Sequence, residues 1–223
     1  MAKAASMYAQ VQSCPQRNVV EFMDHTWKYL AHTRKWSIAY SKVSPEMTDQ
    51  LVCYVDASHN DCADAKSTTG WVIFLNGGLI DWSSNLQGLA TDSTAESELV
   101  AASEATKAVL STRYLLAEMG RAQTSPTPMH EDNSTCVSWV TDYKLTKKNR
   151  HIHKKYWIAR QEHEGTGACG RPTINMIKCD TTQMIADLLT KNCAFDTHDY
   201  LMRLLMKPPP TWPARAKKPK TDT

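Results

Sequence analysis

The 223-residue sequence lacks a long hydrophobic run, an apolar leader and any closely spaced pair of cysteines. No stretch approaches the roughly 18 apolar residues that a membrane-spanning helix needs, so the sequence predicts no such helix. The N-terminal segment lacks the apolar core of a secretory signal, which predicts an intracellular protein. Its seven cysteines form no CxxC motif, which argues against both a zinc ribbon and a disulfide framework.

Charge is unevenly distributed along the chain, although the formal net charge is only +3. Residues 143–160 contain seven Lys or Arg and no acid, and residues 207–223 contain five basic residues and one acid. Such asymmetry indicates an anionic partner for the basic parts. The second of these segments also holds five of the ten prolines, so we expect it to be a disordered tail.

The first half of the chain has the pattern of a helix followed by three strands. Apolar residues fall at helical spacing over 17–33, and short apolar runs over 51–55, 71–75 and 79–82 predict strands. Asn76-Gly77-Gly78 between the last two runs is a hairpin signal, so the three strands should form an antiparallel meander.

The second half of the chain predicts a long helix and then mixed elements. Ser93 and Glu96 form a capping box that opens a helix through Glu118. A strand should end near Asp132, and another should cover 173–178. The remaining predicted helices cover 133–142, 149–164 (a basic amphipathic helix), 182–191 and 196–206.

Acidic residues stand at four distinctive places in this pattern. Asp56 and Asp132 end predicted strands, Glu98 lies near the start of the long helix, and Asp187 interrupts an apolar helix face. Buried acids are costly unless a cation neutralises them, and four converging carboxylates could hold two divalent cations for phosphoryl transfer. Each acid alone is also explained as a cap, a turn residue or a solvated side chain, and position alone leaves both interpretations open.

Six motifs give the sequence a family resemblance. They are YVDAS at 54–58, STTG at 67–70, IDWSS at 80–84, STAESELVAA at 93–102, EDNS at 131–134 and QMIADLLTK at 183–191. Together with the basic segment that follows EDNS, this collinear set resembles the ribonuclease H domain of copia-type long-terminal-repeat retrotransposons. Upstream, WKYLAHT at 27–33 is similar to the segment that closes the preceding reverse transcriptase, and no polymerase YxDD motif is present.

The resemblance implies a ribonuclease H-like α/β fold, a five-stranded mixed sheet with helices on both faces. It implies an extension over 1–49 that resembles the end of a reverse transcriptase, a nuclease domain over 50–206, and the tail over 207–223. The implied activity is metal-dependent cleavage of the RNA strand of RNA–DNA hybrids during reverse transcription. The implied partners are the hybrid and the upstream reverse transcriptase domain, with no membrane and no small-molecule cofactor. A cytoplasmic location, in virus-like particles, or a nuclear one would follow.

The resemblance also implies the site residues. Asp56, Glu98, Asp132 and Asp187 would be the catalytic metal ligands for two Mg²⁺ ions, with Mn²⁺ as a substitute. Glu98 matches the position of the acid in the helix motif of the family, whereas Glu96 is part of the capping box. The residues expected to contact nucleic acid are Ser58, Asn133, Ser134, Lys147, Lys148, Arg150, Lys154 and Lys155. The basic residues are equally compatible with a solvated helix face.

Two other functions remain open on the sequence alone. The chain could be an inactive nucleic-acid-binding or structural remnant of a retroelement. It could also be an integrase-type transferase built on the same sheet, but that class would have a D-D-E order of acids and an upstream zinc motif, whereas this sequence has the order D-E-D-D and no such motif.

Overall fold

The computed structural model describes residues 1–12, 18–42, 49–60, 65–142 and 149–212. Lys147, Lys148 and residues 213–223, which include most of the expected tail, lie outside the described residues. The strands are β1 (Leu51–Ser58), β2 (Lys66–Leu75), β3 (Gly78–Ala90), β4 (Thr127–Glu131) and β5 (Ile174–Lys178).

These strands form one mixed sheet in the order β3-β2-β1-β4-β5. The pairs β1–β2 and β2–β3 are antiparallel, which confirms the predicted meander, and β4 runs parallel to both β1 and β5. Because β1 and β4 are parallel neighbours, their carboxyl ends meet at the same edge of the sheet. Asp56 and Asp132 therefore come from adjacent strand ends.

The hairpin between β2 and β3 has the predicted turn, but its strands are longer than predicted. Asn76 and Gly77 have φ angles of 53° and 76°, the left-handed pair that a tight two-residue hairpin turn requires. β2 begins at Lys66 and β3 continues to Ala90, beyond the apolar runs. The added length consists largely of polar residues. The antiparallel ladder continues through them, with Thr69 opposite Asn85.

The longest helix, α3, follows the meander and covers one face of the sheet. It is the third of the chain, after α1 (Ala2–Val11) and α2 (Asn18–Thr33), and spans Thr94–Glu118 with Ser93 as its N-cap. The Ser93 side chain accepts a hydrogen bond from the backbone N–H of Glu96. Leu99, Ala102 and Val109 are fully buried in the core beneath this helix.

Two shorter helices complete this face of the sheet, and one of them corrects a prediction. α4 (Ser134–Thr141) begins at its Asn133 cap as predicted, and α5 covers Ile158–Glu164. The basic helix predicted over 149–164 is wrong in its first half, where turns lead into a 3₁₀ turn at Lys154–Trp157. The side chain of His153 accepts a hydrogen bond from the Lys155 N–H and so fixes the start of the 3₁₀ turn.

The opposite face of the sheet carries α6 (Asp187–Thr190) and α7 (Phe195–Leu205). A single helix over 182–191 is not observed, because a 3₁₀ turn at Thr181–Gln183 precedes α6 and is separated from it. Ile185 and Leu189 nevertheless pack on Val72 and Phe74 of β2. Helices thus cover both faces of the five-stranded sheet, as predicted.

Segments near the two ends of the described chain contact each other. Ser37 and Lys207 exchange two backbone hydrogen bonds of 3.1 and 2.8 Å. The Trp36 and Trp212 rings meet edge to face at 5.0 Å, and the Trp212 indole N–H donates to Asp199 at 3.0 Å. We expected residues 207–223 not to pack, but residues 207–212 do, because Trp212 finds an aromatic partner and a carboxylate acceptor.

Across the described part of the chain, every helix is too short or too polar to cross a membrane.

Candidate active site

Three of the four predicted carboxylates converge at the shared edge of β1 and β4. Asp56 of β1, Glu98 of α3 and Asp132, directly after β4, each offer an oxygen that lies within 4.8 Å of the others. Asp56 is completely buried, Glu98 nearly so, and Asp132 is partly exposed. The group is therefore buried on one side and accessible through Asp132 on the other.

The fourth predicted carboxylate, Asp187, joins this group through a lysine. The Lys191 ammonium lies 2.9 Å from Asp56 Oδ1 and 2.8 Å from Asp187 Oδ1. The Thr190 hydroxyl donates a hydrogen bond to the other oxygen of Asp56. Asp187 begins α6 and Lys191 is its C-cap, four residues later, so the two side chains meet along one side of that short helix.

A fifth acid, Glu131, adjoins the cluster although the sequence analysis did not select it. It is the last residue of β4 and is completely buried. Its Oε1 accepts the Asn133 N–H at 2.9 Å, and among the described residues no hydrogen-bond partner reaches its Oε2 or the Oε2 of Glu98. The signal in the sequence is alternation: in β4, Thr127 and Met129 are buried, so Glu131 falls on the buried side.

Burial of these acids opposes their ionisation. Burial raises the pKa of Asp56 to about 7, although Lys191 acts in the opposite direction. The pKa of Glu98 is raised well above its usual value by burial first and then by the nearby charge of Glu131. Burial likewise raises the pKa of Glu131. The surroundings of the cluster therefore do not fully compensate for the ionisation of its carboxyl groups.

The donor set of the cluster fits a hard divalent cation. All of its ligand atoms are carboxylate oxygens, which Mg²⁺ and Mn²⁺ prefer over the nitrogen and sulfur ligands typical of zinc. Glu98 Oε2 has no hydrogen-bond partner among the described residues, and the nearby charges of Glu131, Asp56 and Asp132 raise the pKa of Glu98. A cation bound there would offset an unfavourable burial of charge.

A second group of potential ligands lies at the start of α3. Asp92, Glu96 and His151 each place one atom within 4.8 Å of the others. Glu96 Oε2 already accepts the Asp92 N–H at 2.9 Å, so Glu96 caps the chain just before the helix. In the usual capping box this side chain accepts the N–H of the N-cap residue, which here is Ser93. Glu96 instead accepts the N–H of Asp92, one residue earlier.

The predicted nucleic-acid-contacting residues fall into two groups. Ser58 ends β1, while Asn133 and Ser134 begin α4 beside Asp132, so these three adjoin the carboxylate cluster along the chain. The Asn133 side-chain oxygen accepts the N–H groups of Thr135 and Cys136. Of the basic residues, Arg150, Lys154 and Lys155 are exposed.

Lys155 also lines a groove of about 490 Å³. Polar residues of β3, such as Ser83 and Asn85, form one wall, and Glu104 and Lys107 of α3 form part of the other. Lys107 pairs with Glu104 at 2.9 Å, and the Lys155 ammonium lies 4.8 Å from the centre of the Tyr156 ring. The groove is lined by both polar and apolar side chains, and two of its lining residues are lysines, Lys107 and Lys155.

Comparison with known proteins finds relatives among retrotransposon polyproteins. The chain is 26% identical over 207 residues to the retrovirus-related Pol polyprotein from transposon TNT 1-94 of Nicotiana tabacum, covering 85% of the chain and 15% of that protein. It is 25% identical over 188 residues to the transposon Ty1-JR2 Gag-Pol polyprotein of Saccharomyces cerevisiae, covering 84% and 10%. The chain thus spans a small part of these relatives. No protein-family model matches it.

Solved structures with a similar arrangement are ribonucleases H. LC11 ribonuclease H1, isolated from compost, aligns with a TM-score of 0.48 and 16% identity over 64% of this chain and 94% of that one. Ribonuclease H1 of Halobacterium salinarum aligns with a TM-score of 0.42 and 18% identity over 63% and 94%. The sequence relatives of the chain are Pol polyproteins of the Ty1/copia type. Its own mixed five-stranded sheet with helices on both faces agrees with the α/β architecture that the family resemblance implies.

Proposed function

We propose that the chain is a ribonuclease H, a divalent-metal-dependent endonuclease that cleaves the RNA strand of RNA–DNA hybrids. The observation that carries the proposal is the convergence of Asp56, Glu98 and Asp132 within 4.8 Å, with Asp187 linked to Asp56 through Lys191. Three acids from separate parts of the chain meet at one sheet edge and a fourth joins them through a lysine, which simple capping or solvation of each acid does not explain.

Asp56, Glu98, Asp132 and Asp187 would hold the metal, with Mg²⁺ in two positions as the proposed occupant. Bound there, the metal supplies an activated water and stabilisation of the leaving oxygen. The carboxylates fix the positions of these charges, and the buried side of the cluster excludes bulk water. Water oxygen bonds to phosphorus, the bond from phosphorus to the 3′ oxygen breaks, and that oxygen takes a proton. The products are a 3′-hydroxyl and a 5′-phosphate.

Selection of the RNA strand would fall to polar groups beside the cluster. The 2′-hydroxyl distinguishes RNA from DNA and is displayed in the shallow minor groove of a hybrid. Ser58, Asn133 and Ser134 adjoin the acids in sequence and end or begin the elements that present them. We assign them to contacts with the minor groove of the hybrid.

The groove bordered by Lys155 would bind the DNA strand through its phosphates. Phosphate contacts supply affinity and orientation without reading sequence. Lys155 lines the groove and Arg150 and Lys154 are exposed nearby in the chain, whereas Lys147 and Lys148 lie outside the described residues. The partner we propose for the 1–49 extension is an upstream reverse transcriptase domain.

Cleavage of a labelled hybrid tests the proposal. The parent should cut the RNA strand of a hybrid in Mg²⁺ or Mn²⁺, should be inactive in chelator, and should leave duplex DNA intact. Asp132→Asn should abolish most cleavage because it removes a ligand charge, while Asp142→Asn, at an exposed carboxylate after α4, should not. Hybrid binding without cleavage by the parent would favour the inactive binding protein. Equal cleavage by Asp132→Asn would contradict the assigned site.

A further inference from the structure

Lys191 is placed where a cation bound to Asp56 and Asp187 would lie. Its ammonium is 2.9 Å from Asp56 Oδ1 and 2.8 Å from Asp187 Oδ1, so it bridges two carboxylates that the proposed function assigns to metal. The Thr190 hydroxyl donates to Asp56 Oδ2. Both oxygens of Asp56 are therefore engaged within the protein.

We propose that Lys191 is an internal counter-ion that neutralises Asp56 and Asp187 in the metal-free protein and is displaced when a divalent ion binds. The inference rests on the proposed function, because it takes the carboxylate cluster as a metal site. A divalent ion bound to the same oxygens of Asp56 and Asp187 would repel the ammonium that lies 2.9 and 2.8 Å from them. Binding of the ion is therefore coupled to loss of both ion pairs.

The position of Lys191 in the chain allows such a movement. Lys191 is the C-cap of α6 and has extended backbone angles, φ −120° and ψ 155°. Its side chain is 38% exposed, whereas Asp56 is fully buried. The ammonium sits on a flexible four-carbon stem and can turn into solvent while the fixed carboxylates stay in place. No rearrangement of the sheet or of α6 is needed.

The proposed exchange has two energetic consequences. In the metal-free protein, Lys191 offsets part of the repulsion among the buried acids, which favours the folded state. The same ion pairs have to be broken before a metal can use Asp56 and Asp187, so Lys191 weakens metal affinity. A lysine that only supported the local fold would stabilise the metal-free protein without weakening its affinity for metal.

Calorimetric titration of the full chain with Mn²⁺ alone, without nucleic acid, separates these roles. Lys191→Met should bind Mn²⁺ about tenfold more tightly than the parent, because the competing cation is gone. The same variant should melt at a lower temperature than the parent in chelator, and saturating Mn²⁺ should narrow this difference. Lys191→Gln, also uncharged, provides a second variant should Lys191→Met fail to fold.

Two control variants separate a specific effect of the Lys191 charge from a general loss of positive charge. Arg121→Met removes a cation that pairs with Asp49 at 3.1 Å, just after the end of α3 opposite to Glu98, and should leave Mn²⁺ affinity unchanged. Lys191→Arg keeps the charge and should bind Mn²⁺ about as the parent does. Equal or weaker Mn²⁺ binding by both neutral variants, with a parent that binds Mn²⁺ and cleaves hybrid, would overturn this inference alone. A parent that binds no Mn²⁺ would overturn the proposed function as well.

Discussion

Gly70 of β2 and Thr190 of α6 lie so close that a Cβ atom on Gly70 would come within 2.5 Å of Thr190 Cγ2. The same added atom would lie 2.8 Å from Leu189 Cβ. Gly70 stands opposite Asp56 in the β1–β2 ladder. The missing side chain on β2 therefore lets α6 approach the sheet closely enough for the Thr190 hydroxyl to reach Asp56.

Gly70→Ala should push α6 away from the sheet and separate Thr190 and Lys191 from Asp56. Overpacking of a tight contact costs about 1–3 kcal/mol, so the free energy of unfolding should fall by that amount, and hybrid cleavage should fall with it. Denaturant unfolding and a cleavage assay measure the two effects. The control is Gly88→Ala on β3, where an added Cβ meets no atom within 4 Å. Parent-like stability of Gly70→Ala would show that α6 can shift without cost.

Two glutamates of α3, two residues apart, should respond differently to substitution. Glu96→Ala should lower the free energy of unfolding by about 0.5–2 kcal/mol, because Glu96 Oε2 accepts the Asp92 N–H before the helix, and should leave the chemical step nearly intact. Glu98→Gln should abolish most cleavage and preserve the fold, because it removes a charge of the cluster. Thermal melts and single-turnover cleavage distinguish the two. The reverse result would show that Glu96, and not Glu98, is the catalytic acid of α3.

Local sequence signals predicted the features that depend on neighbours along the chain. Asn76-Gly77 predicted its hairpin, and Ser93 predicted the start of α3. These features follow from turn chemistry and capping, which act over a few residues. The convergence of Asp56, Glu98 and Asp132 was implied only by the family resemblance, because position alone left each acid open to a local explanation.

Features that depend on distant contacts were missed or misjudged. Lys191 bridges Asp56, 135 residues earlier in the chain, and no local pattern predicts that pairing. The basic segment was predicted as one helix because its apolar spacing is helical, but His153 accepts the Lys155 N–H and a 3₁₀ turn replaces the first half. Glu131 was not among the predicted site residues, and the alternation of β4 places it on the buried side.

The basic residues of the 3₁₀ turn should affect hybrid binding and not the chemical step. Changing Lys154 and Lys155 to Ala should raise KM and leave kcat nearly unchanged, because phosphate contacts are lost and the carboxylates stay in place. The slope of log affinity against log salt should fall by roughly one for each lost contact. Both parent and variant should end at Trp212, because the lysines of residues 213–223 could bind phosphate and mask the effect.

The control for the basic residues is a double change of Lys28 and Lys35 to Ala, at exposed lysines on or just after α2. It should leave the salt slope unchanged. If the salt slope is also unchanged in the Lys154 and Lys155 variant, these lysines do not contact phosphate and the segment is a solvated surface.

Stability without metal should decrease as pH rises above about 4.5. Burial raises the pKa of Glu131 above its usual value of 4.5, so the folded state keeps a proton there that the unfolded chain releases. Above pH 4.5 the unfolded chain binds fewer protons than the folded state at this group, and the free energy of unfolding therefore falls with pH. Denaturant unfolding in chelator at pH 5 and pH 8 should show this loss.

Glu131→Gln should reduce that pH dependence, because the amide does not ionise. A remainder should persist, since burial also raises the pKa of Asp56 and Glu98. Glu104→Gln, at an exposed position of α3, should keep the parent's pH dependence. Equal pH slopes for the parent and Glu131→Gln would mean that Glu131 does not hold a proton in the folded state.

The backbone pairing of Ser37 with Lys207 bears on how the protein can be shortened. Residues 50–206 contain every acid of the cluster, yet a fragment cut at those limits would lose both hydrogen bonds of this pairing. It would also lose Ile38, which packs against the apolar face formed by Val72 and Leu79. Such a fragment would expose more apolar surface and should self-associate in concentrated solution, whereas one that retains residues 36–212 would keep Ile38 on that face and the Ser37–Lys207 pairing.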